Sequence, residues 1–474
     1  MITLTRSLAR KLRSVFRRSG IGKPYGGYGT RVLFLADQDT LRVRAMSDSA
    51  AVEYQAAHQG GSIQALLPLD LLAACEGGKP DPVELDFAVS GNVSASWTDK
   101  QIPILLDFDA ESPTDETPSF PSLPSSLATN EPDLWNALHE AAASTDPSPV
   151  RFALNCIQLS GGEGRVLATD GHQALVQSGF SFPWTEALLI PATDVFGCRE
   201  LPDDQPIRVG KTEDWVTFQL GPWSIHLRMN KEVRFPDVAR HFADPQFATS
   251  HLCLGQADGE FLTEALPRLP CDDENNHPIT LDLNGQVVIR GRGGDQSRAT
   301  ELILSNSRLE GEPVVINSNR KYLERAARLG FRDVHLFGNE AALLCDDGHR
   351  QFVWMPLDPK HAIRNGTDPI RIQSPQPMAD GAEPYSKPRR SKPVMSEPPT
   401  QTQPAEESPR QKAKRSTAPK KTSPIEQAIT FRDSLRTALV QVNELIRSLK
   451  RQKREARLVQ TTLASLRQLQ KVGA

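Results

Sequence analysis

Apolar residues along the chain switch between two spacings, and the order of the switches repeats. Residues 2–5 alternate as a short strand, and residues 6–18 then carry Leu8, Leu12, Val15 and Phe16 at helical spacing. Residues 32–35, 40–44 and 84–89 alternate like half-buried strands, and residues 67–75 (LPLDLLAAC) predict a short helix closed by Gly77 and Gly78. The succession returns further on. Residues 131–144 predict a helix, 151–159 and 165–170 a strand pair turning at Gly161 and Gly162, 192–199 another short helix, and 206–210, 216–220 and 224–228 a meander. After a break near 244–249 it returns again. Residues 251–254 are strand-like, 260–269 helical, and 279–283 with 286–290 predict a hairpin through Asn284-Gly285. Residues 314–317 lead into a helix over 318–329, and strands at 334–337, 342–345 and 351–355 close the unit. One module of about 110 residues, with two helices and two sets of strands, thus occurs three times in a shared order of elements.

The segments between and after the modules differ in composition. Residues 111–132 are rich in Ser, Thr and Pro and hold no Lys or Arg, which predicts a linker over 111–128 between modules at 1–110 and 129–246. The third module is expected over 249–358. Residues 375–424 contain 11 prolines and few large apolar groups, so 359–424 is expected to be a disordered, basic linker. Within it, residues 410–421 (RQKAKRSTAPKK) are basic with no acid. Residues 425–472 are free of Pro and Gly and place Leu435, Leu439, Val442, Ile446 and Leu449 at the a and d spacing of a coiled coil. Residues 450–457 (KRQKREAR) interrupt that seam before Val459, Leu463, Leu466 and Leu469 resume it. A coiled coil there predicts self-association or a partner helix for the tail.

Charge sharpens this division. The formal net charge of -3 over 474 residues combines an acidic body, -16 over residues 1–358, with a basic tail of +13. Such a tail points to a polyanion or an acidic partner. A mean hydropathy of -0.42 and the lack of any apolar run of about 18 residues argue against a membrane span. No secretory signal is expected, since the basic start lacks an apolar core. The six cysteines, Cys75, Cys156, Cys198, Cys253, Cys271 and Cys345, form no CxxC and no Cys/His pair at ligand spacing, so neither a disulfide framework nor a metal site is expected. Asp170 and His172 lack a third group to complete a nucleophile and base, and the glycines at 26–27 and 291–294 match no phosphate-binding loop. The composition fits a cytosolic, reduced, non-enzymatic protein without a cofactor.

The segment RFALNCIQLSGGEGRVLATDGHQALV, residues 151–176, resembles the start of the middle domain of the bacterial DNA polymerase III β subunit, the sliding clamp, in its Thr169-Asp170-Gly171-His172. Leu189-Ile190-Pro191, Arg234-Phe235-Pro236-Asp237 and the closing Met355-Pro356-Leu357 follow in the family's order, and the resemblance spans about residues 1–358. It implies an α+β, three-repeat DNA clamp fold with helices inside and antiparallel sheets outside, and a head-to-tail homodimer ring around double-stranded DNA. It implies a non-catalytic processivity factor that tethers DNA polymerase III in the bacterial cytoplasm, at the nucleoid. The helix over 6–18 would turn Arg6, Arg10, Arg13 and Arg17 to phosphates, and the equivalent third-module helix Arg320, Lys321, Arg325 and Arg328. Glu131, Asp133, Glu140, Glu260 and Glu264 would make the lining mixed in charge. A pocket for a short linear motif of polymerase and clamp-loader subunits would comprise Leu154, Thr169, Gly171, His172, Ala174, Pro236, Arg240, Val353, Met355, Pro356 and Leu357. Gln173 and Ala174 depart from the family's Arg and Leu. The alternative is a divergent clamp-fold paralogue, an accessory DNA-binding or interaction scaffold that works through its basic coiled-coil tail.

Overall fold

The first strand runs directly into the first helix because Thr5 caps it: its hydroxyl accepts the Leu8 N–H at 3.1 Å. In the computed structural model, residues 1–376 are described except for 23–29, 89–90, 116, 149–151, 274, 295, 365 and 367. The proposed basic block and coiled coil of the tail lie outside the described residues.

The first module orders β1 (Ile2–Thr5), α1 (Arg6–Arg18), β2 (Arg31–Ala36), β3 (Thr40–Met46), β4 (Ala50–Ala57), β5 (Ile63–Pro68), α2 (Leu69–Cys75), β6 (Pro82–Phe87), β7 (Asn92–Asp99) and β8 (Ile102–Asp109). The second repeats that order with β9 (Ala128–Asn130), α3 (Asp133–Ala142), β10 (Cys156–Ser160), β11 (Arg165–Thr169), β12 (Gln173–Ser178) and β13 (Ala187–Pro191), then β14 (Ile207–Lys211), β15 (Trp215–Leu220) and β16 (Trp223–Arg228). Where a second helix is expected, a single 3₁₀ turn at Asp194–Gly197 packs on α3. The third module comprises β17 (Ser250–Cys253), α4 (Gln256–Ala265), β18 (Pro278–Asp282), β19 (Val288–Gly291), β20 (Thr300–Ile303), β21 (Arg308–Gly311), β22 (Val315–Asn319), α5 (Arg320–Arg328), β23 (Asp333–Leu336), β24 (Leu343–Asp346) and β25 (Arg350–Trp354). In the first and third modules the two helices pack on each other.

Sheets cross the module boundaries. One of eight strands runs β5-β2-β3-β4-β16-β15-β14-β9, and one of nine runs β13-β10-β11-β12-β25-β24-β23-β17-β21. The fourth strand of one module therefore pairs antiparallel with the last strand of the next, Tyr54 opposite Trp223 and Gln177 opposite Arg350. One apolar core runs through the first two modules and includes Leu12, Phe16, Phe34, Leu138 and Phe218. A second fills the third module with Leu323, Phe331, Phe352 and Trp354, and β12 contributes Leu175 to it. Each fully buried Leu or Phe is worth about 2 kcal/mol against exposure.

Two expectations about segments change. The linker is packed in place: Pro124 is buried, the Phe120 ring meets His226 edge-on at 5.3 Å, and the Arg44 guanidinium lies 4.6 Å from that ring. Gly210 makes room for it, since a Cβ there would collide with the Ser126 carbonyl. The fold also continues past Asp358. Residues Pro359–His361 form a 3₁₀ turn, and β26 (Ile370–Gln373) adds parallel to β20 in a five-stranded sheet, β22-β18-β19-β20-β26. Backbone and side-chain hydrogen bonds to the third module satisfy this stretch, so the start of the expected disordered linker belongs to the fold. Among the described residues no helix is long and apolar enough to cross a membrane.

His226 sits inside the β4·β16 join, 1% exposed, with Nδ1 2.8 Å from the Thr217 hydroxyl. Burial, and then the Arg44 charge, push its pKa down from 6.5 to about 4. The unfolded chain thus takes a proton that the folded one refuses, so stability is full above pH 6.5 and is lost as pH falls from 6.5 through about 4. Denaturant titrations at pH 7 and pH 4 are expected to differ through this residue by up to about 3 kcal/mol, and His226→Gln to remove that share of the acid sensitivity.

Candidate nucleic-acid and peptide interfaces

The basic residues of α1 and α5 divide into two sets. Arg6 is tucked in: its guanidinium donates to the carbonyls of Cys75 and Glu76 at 3.4 and 3.2 Å and pairs with Asp99 at 3.3 Å. Arg13 grips both oxygens of Glu76 at 2.8 and 2.7 Å. Arg320 donates to the Leu269 carbonyl. Arg325 reaches out of its module and donates to the Glu140 carbonyl at 2.6 Å and the Ser144 hydroxyl at 2.8 Å, at the end of α3. Burial lowers its pKa, while Glu140 and Asp170 pull the other way. These four of the eight expected phosphate ligands are committed to internal contacts.

The other four stand exposed. Arg10 is 58% exposed beside Glu200 at 3.7 Å, and Arg328 is 69% exposed and pairs with Glu324 one turn back. Arg17 and Lys321 are exposed as well, as are Lys11 and Arg18, which the helical spacing of arginines alone passes over. Acidic groups share the helices of the other positions: Glu131, Asp133, Glu260 and Glu264 are exposed, and Glu264 pairs with Arg268 at 2.8 Å. Glu140 is half-buried, its pKa raised by burial against the opposing charges of Arg350 and Arg325.

The expected peptide residues converge on the β12·β25 join. Gly171 has φ +93°, a left-handed turn conformation, and a Cβ there would lie 3.7 Å from Leu154. The turn is fixed from within: Thr169 Oγ1 accepts the Gly171 N–H at 3.0 Å, and Asp170 Oδ1 accepts the N–H groups of His172 and Gln173 at 2.8 and 2.9 Å. Asp170 therefore serves as a turn brace. Gln173, in the place of the family's Arg, donates its side-chain amide to Asp170 at 2.9 Å. Ala174 pairs with Val353, and the Met355 N–H donates to the His172 carbonyl at 3.0 Å. Pro236 is half-buried and Arg240, in a 3₁₀ turn, exposed on the segment connecting the second and third modules, which the Ala153 N–H to Arg234 carbonyl bond holds near Leu154. Pro356 and Leu357 lead away, the Leu357 N–H donating to the Asn317 carbonyl.

The floor has residues that the motifs did not reveal. Ala174, Leu344 and Val353 are buried together, and Val238, Phe242, Phe337 and Ala342 pack against them. Phe242 and Val238 flank Arg240 at a spacing of two, which is the one sequence signal that marks them. The chain thus covers part of its own floor. A cleft of about 1170 Å³ lies elsewhere, beside Arg6, Trp97 and Leu105 of the first module.

A further cluster escaped the cysteine spacing. His251 and Cys253 share the outward face of β17, with Asp333 on β23, and their donor atoms all lie within 4.8 Å. His251 Nε2 is 2.9 Å from Asp333, and its ring stacks on His335 with centroids 4.7 Å apart. Such donors can hold a divalent cation. The Arg308 guanidinium, paired with Glu310 at 2.8 Å on the neighbouring strand, sets a positive charge beside them that opposes one.

No protein-family model and no curated protein matches the chain. Solved structures do. A sliding clamp (DNA polymerase III subunit beta) from Pseudomonas aeruginosa superposes with a TM-score of 0.63 at 17% identity, over 75% of this chain and 98% of that one. The chain has the sliding-clamp fold. A DNA polymerase III subunit beta from Borrelia burgdorferi gives 0.64 at 11% identity over 75% and 98%, and a putative one from Eubacterium rectale 0.62 at 13% over 76% and 100%. Entire clamp chains are thus covered, while about a quarter of this one lies outside the match.

Within the clamp fold, Arg325 is a strut between the second and third modules. Removing it leaves the Ser144 hydroxyl and the Glu140 carbonyl without this donor at a part-buried contact, which costs about 1–3 kcal/mol. Arg325→Ala is expected to lower the thermal unfolding midpoint accordingly, and Arg328→Ala to leave it nearly unchanged; equal effects would contradict the division of roles.

Proposed function

We propose that the chain is a clamp-like processivity factor that assembles head to tail with a second copy around double-stranded DNA and tethers a polymerase. The observation that carries this reading is the exposed cationic set on the first helix of the first module and the second helix of the third: Arg10, Arg17, Lys321 and Arg328, with Lys11 and Arg18. These side chains suit water-mediated contact with phosphates, which holds DNA without reading bases. A closed ring retains DNA by topology, so an acidic body does not defeat it. Partner subunits of the replication machinery would reach the β12·β25 join with a short linear motif, and Phe242 and Val238 would have to make way for its apolar anchor. The protein acts without catalysis or cofactor, in the cytoplasm.

A second reading, an accessory scaffold working through its tail, draws on the four arginines committed to internal contacts and on the exposed Glu131, Asp133, Glu260 and Glu264. Both weaken the DNA path of the body and leave more of the work to the basic tail.

Retention on circular DNA tests the first reading. Changing Arg10, Arg17, Lys321 and Arg328 together to Glu is expected to lower retention by more than tenfold while the fold persists. The slope of log affinity against log salt should flatten by about 1 for each phosphate that is no longer neutralised. Unchanged retention would place the DNA path elsewhere. Removing residues 377–474 tests the second reading. This cut spares β26, and it is expected to keep the folded body but weaken binding to linear DNA, from which a ring slides off. Linear-DNA binding that is unaffected would overturn a role for the tail in holding DNA.

A further inference from the structure

The two joins inside the chain define what a third would need. At both, the first residue of a module's last strand stands opposite the fourth strand of the preceding module in one register: Trp223 opposite Tyr54, and Arg350 opposite Gln177. Three residues on, His226 faces Ala51 and Val353 faces Ala174. The strands left over are β20, fourth in the third module, and β8, last in the first. The strand neighbours of Tyr54 (Val43, then Phe34) and of Gln177 (Val166, then Leu159) correspond to Ile289 and Leu281 beside Leu302 in the third module. Carrying the register across therefore sets Ile102 of a second copy opposite Leu302, and that copy's Leu105 opposite Ala299. The outer edge of β8 is unpaired among the described residues and carries Ile102, Leu105 and Leu106 at 62%, 66% and 39% exposure, as suits a strand awaiting a partner. The edge of β20 is taken. Residues 300–303 pair in parallel with 370–373 of the chain's own β26.

We propose that β26 is a built-in cap on the ring-closing edge, which a second copy of this chain must displace with its β8 strand. This rests on the head-to-tail reading above. The cap is specific: the N–H groups of Ile370 and Ser374 donate to the carbonyls of Ala299 and Ile303, both at 2.9 Å. Arg371 pairs with Glu301 at 3.2 Å, and Arg298 holds the Asp368 carbonyl at 2.7 Å and its carboxylate at 3.0 Å. It is also short and exposed along all four residues, so it can leave without opening a core. The cap keeps single copies apart until concentration or a loading partner tips the exchange.

The test is disulfide trapping in the full chain carrying Leu105→Cys and Ala299→Cys, with oxidised glutathione as oxidant and the two single variants as controls for the native cysteines. With the cap intact, little cross-link requiring both cysteines is expected. Adding Ile370→Pro and Ser374→Pro, which removes two of the donors that hold β26, should raise its yield at least tenfold. Arg371→Glu, which sets like charge against Glu301 and leaves the backbone intact, should raise it as well and carries the test if the proline variant misfolds. Equal cross-linking with the cap intact and broken overturns the cap and leaves the ring standing. No cross-link in any folded background overturns the head-to-tail ring, and the cap with it.

Discussion

At each internal boundary a strand from one module continues the sheet of the one before it, so backbone hydrogen bonds, in addition to side-chain packing, fix how neighbouring modules sit. That constraint reaches far. A shift of one residue at either join would turn every side chain on the joined strands to the opposite face and expel Leu175 from the third core. Two side chains on the joined strands are fixed from within the second module: His226 on the Thr217 hydroxyl, and the Gln177 amide donating to the Ala137 carbonyl at 2.8 Å. Arg325 braces the second join from the helix side. The candidate peptide floor exists only because this join brings Ala174 and Val353 together.

The same geometry decides which charges are free to act. Helical spacing alone puts Arg6, Arg10, Arg13 and Arg17 along one side of α1, yet two of them have carbonyls or carboxylates within reach and stay there. A guanidinium that keeps several internal hydrogen bonds gains little by exchanging them for a phosphate, whereas an exposed ion pair such as Arg10 with Glu200 is worth at most about 1 kcal/mol and opens readily. The set of cations free to meet a phosphate is therefore smaller than the arginine count and displaced toward Lys11, Arg17 and Arg18 on α1.

The repeated order of elements was legible because period-3.6 and period-2 segments alternate three times, and the bounds of α1 were legible to the residue, though its Thr5 cap was not. Elsewhere the pattern fell short for identifiable reasons. β8 reads IPILLDFD without alternation, since one edge and much of both faces are exposed. β5 was absorbed into α2 because Leu66 and Leu67 suit either period; Pro68, with extended ψ, is what separates them. The helix expected over 318–329 starts two residues later because Ser318 and Asn319 belong to β22, and Asn319 caps it by accepting the Lys321 N–H at 2.9 Å. The Thr169–His172 motif located the candidate site, but its floor came from Leu344, Phe242 and Phe337, which only the fold brings to it. β26 had no signal at all: IRIQ is four exposed residues in a polar stretch, and its partner is some 70 residues earlier.

The edge that β26 covers is chemically unlike the two joins. Arg290 is buried between Asp282 at 2.6 Å and Glu301 at 2.8 Å, two carboxylates on one guanidinium, and Arg371 from β26 restores the balance. Because Arg371 is 64% exposed, that contribution is at most about 1 kcal/mol. Backbone bonds of about 1 kcal/mol each make up the rest, so β26 is held by a few kcal/mol. Tethering adds the advantage of an effective concentration on the order of millimolar, about 4 kcal/mol over a partner present at micromolar levels. A competing β8 is eight residues long and mostly apolar, but in the carried-over register it sets Pro103 opposite Glu301 and brings no cation to that carboxylate. The exchange is then close to balanced. A ring with two such joins closes only where the local concentration of the chain is high or another component lowers the cost, and a few exposed residues beyond the clamp modules are enough to set that threshold.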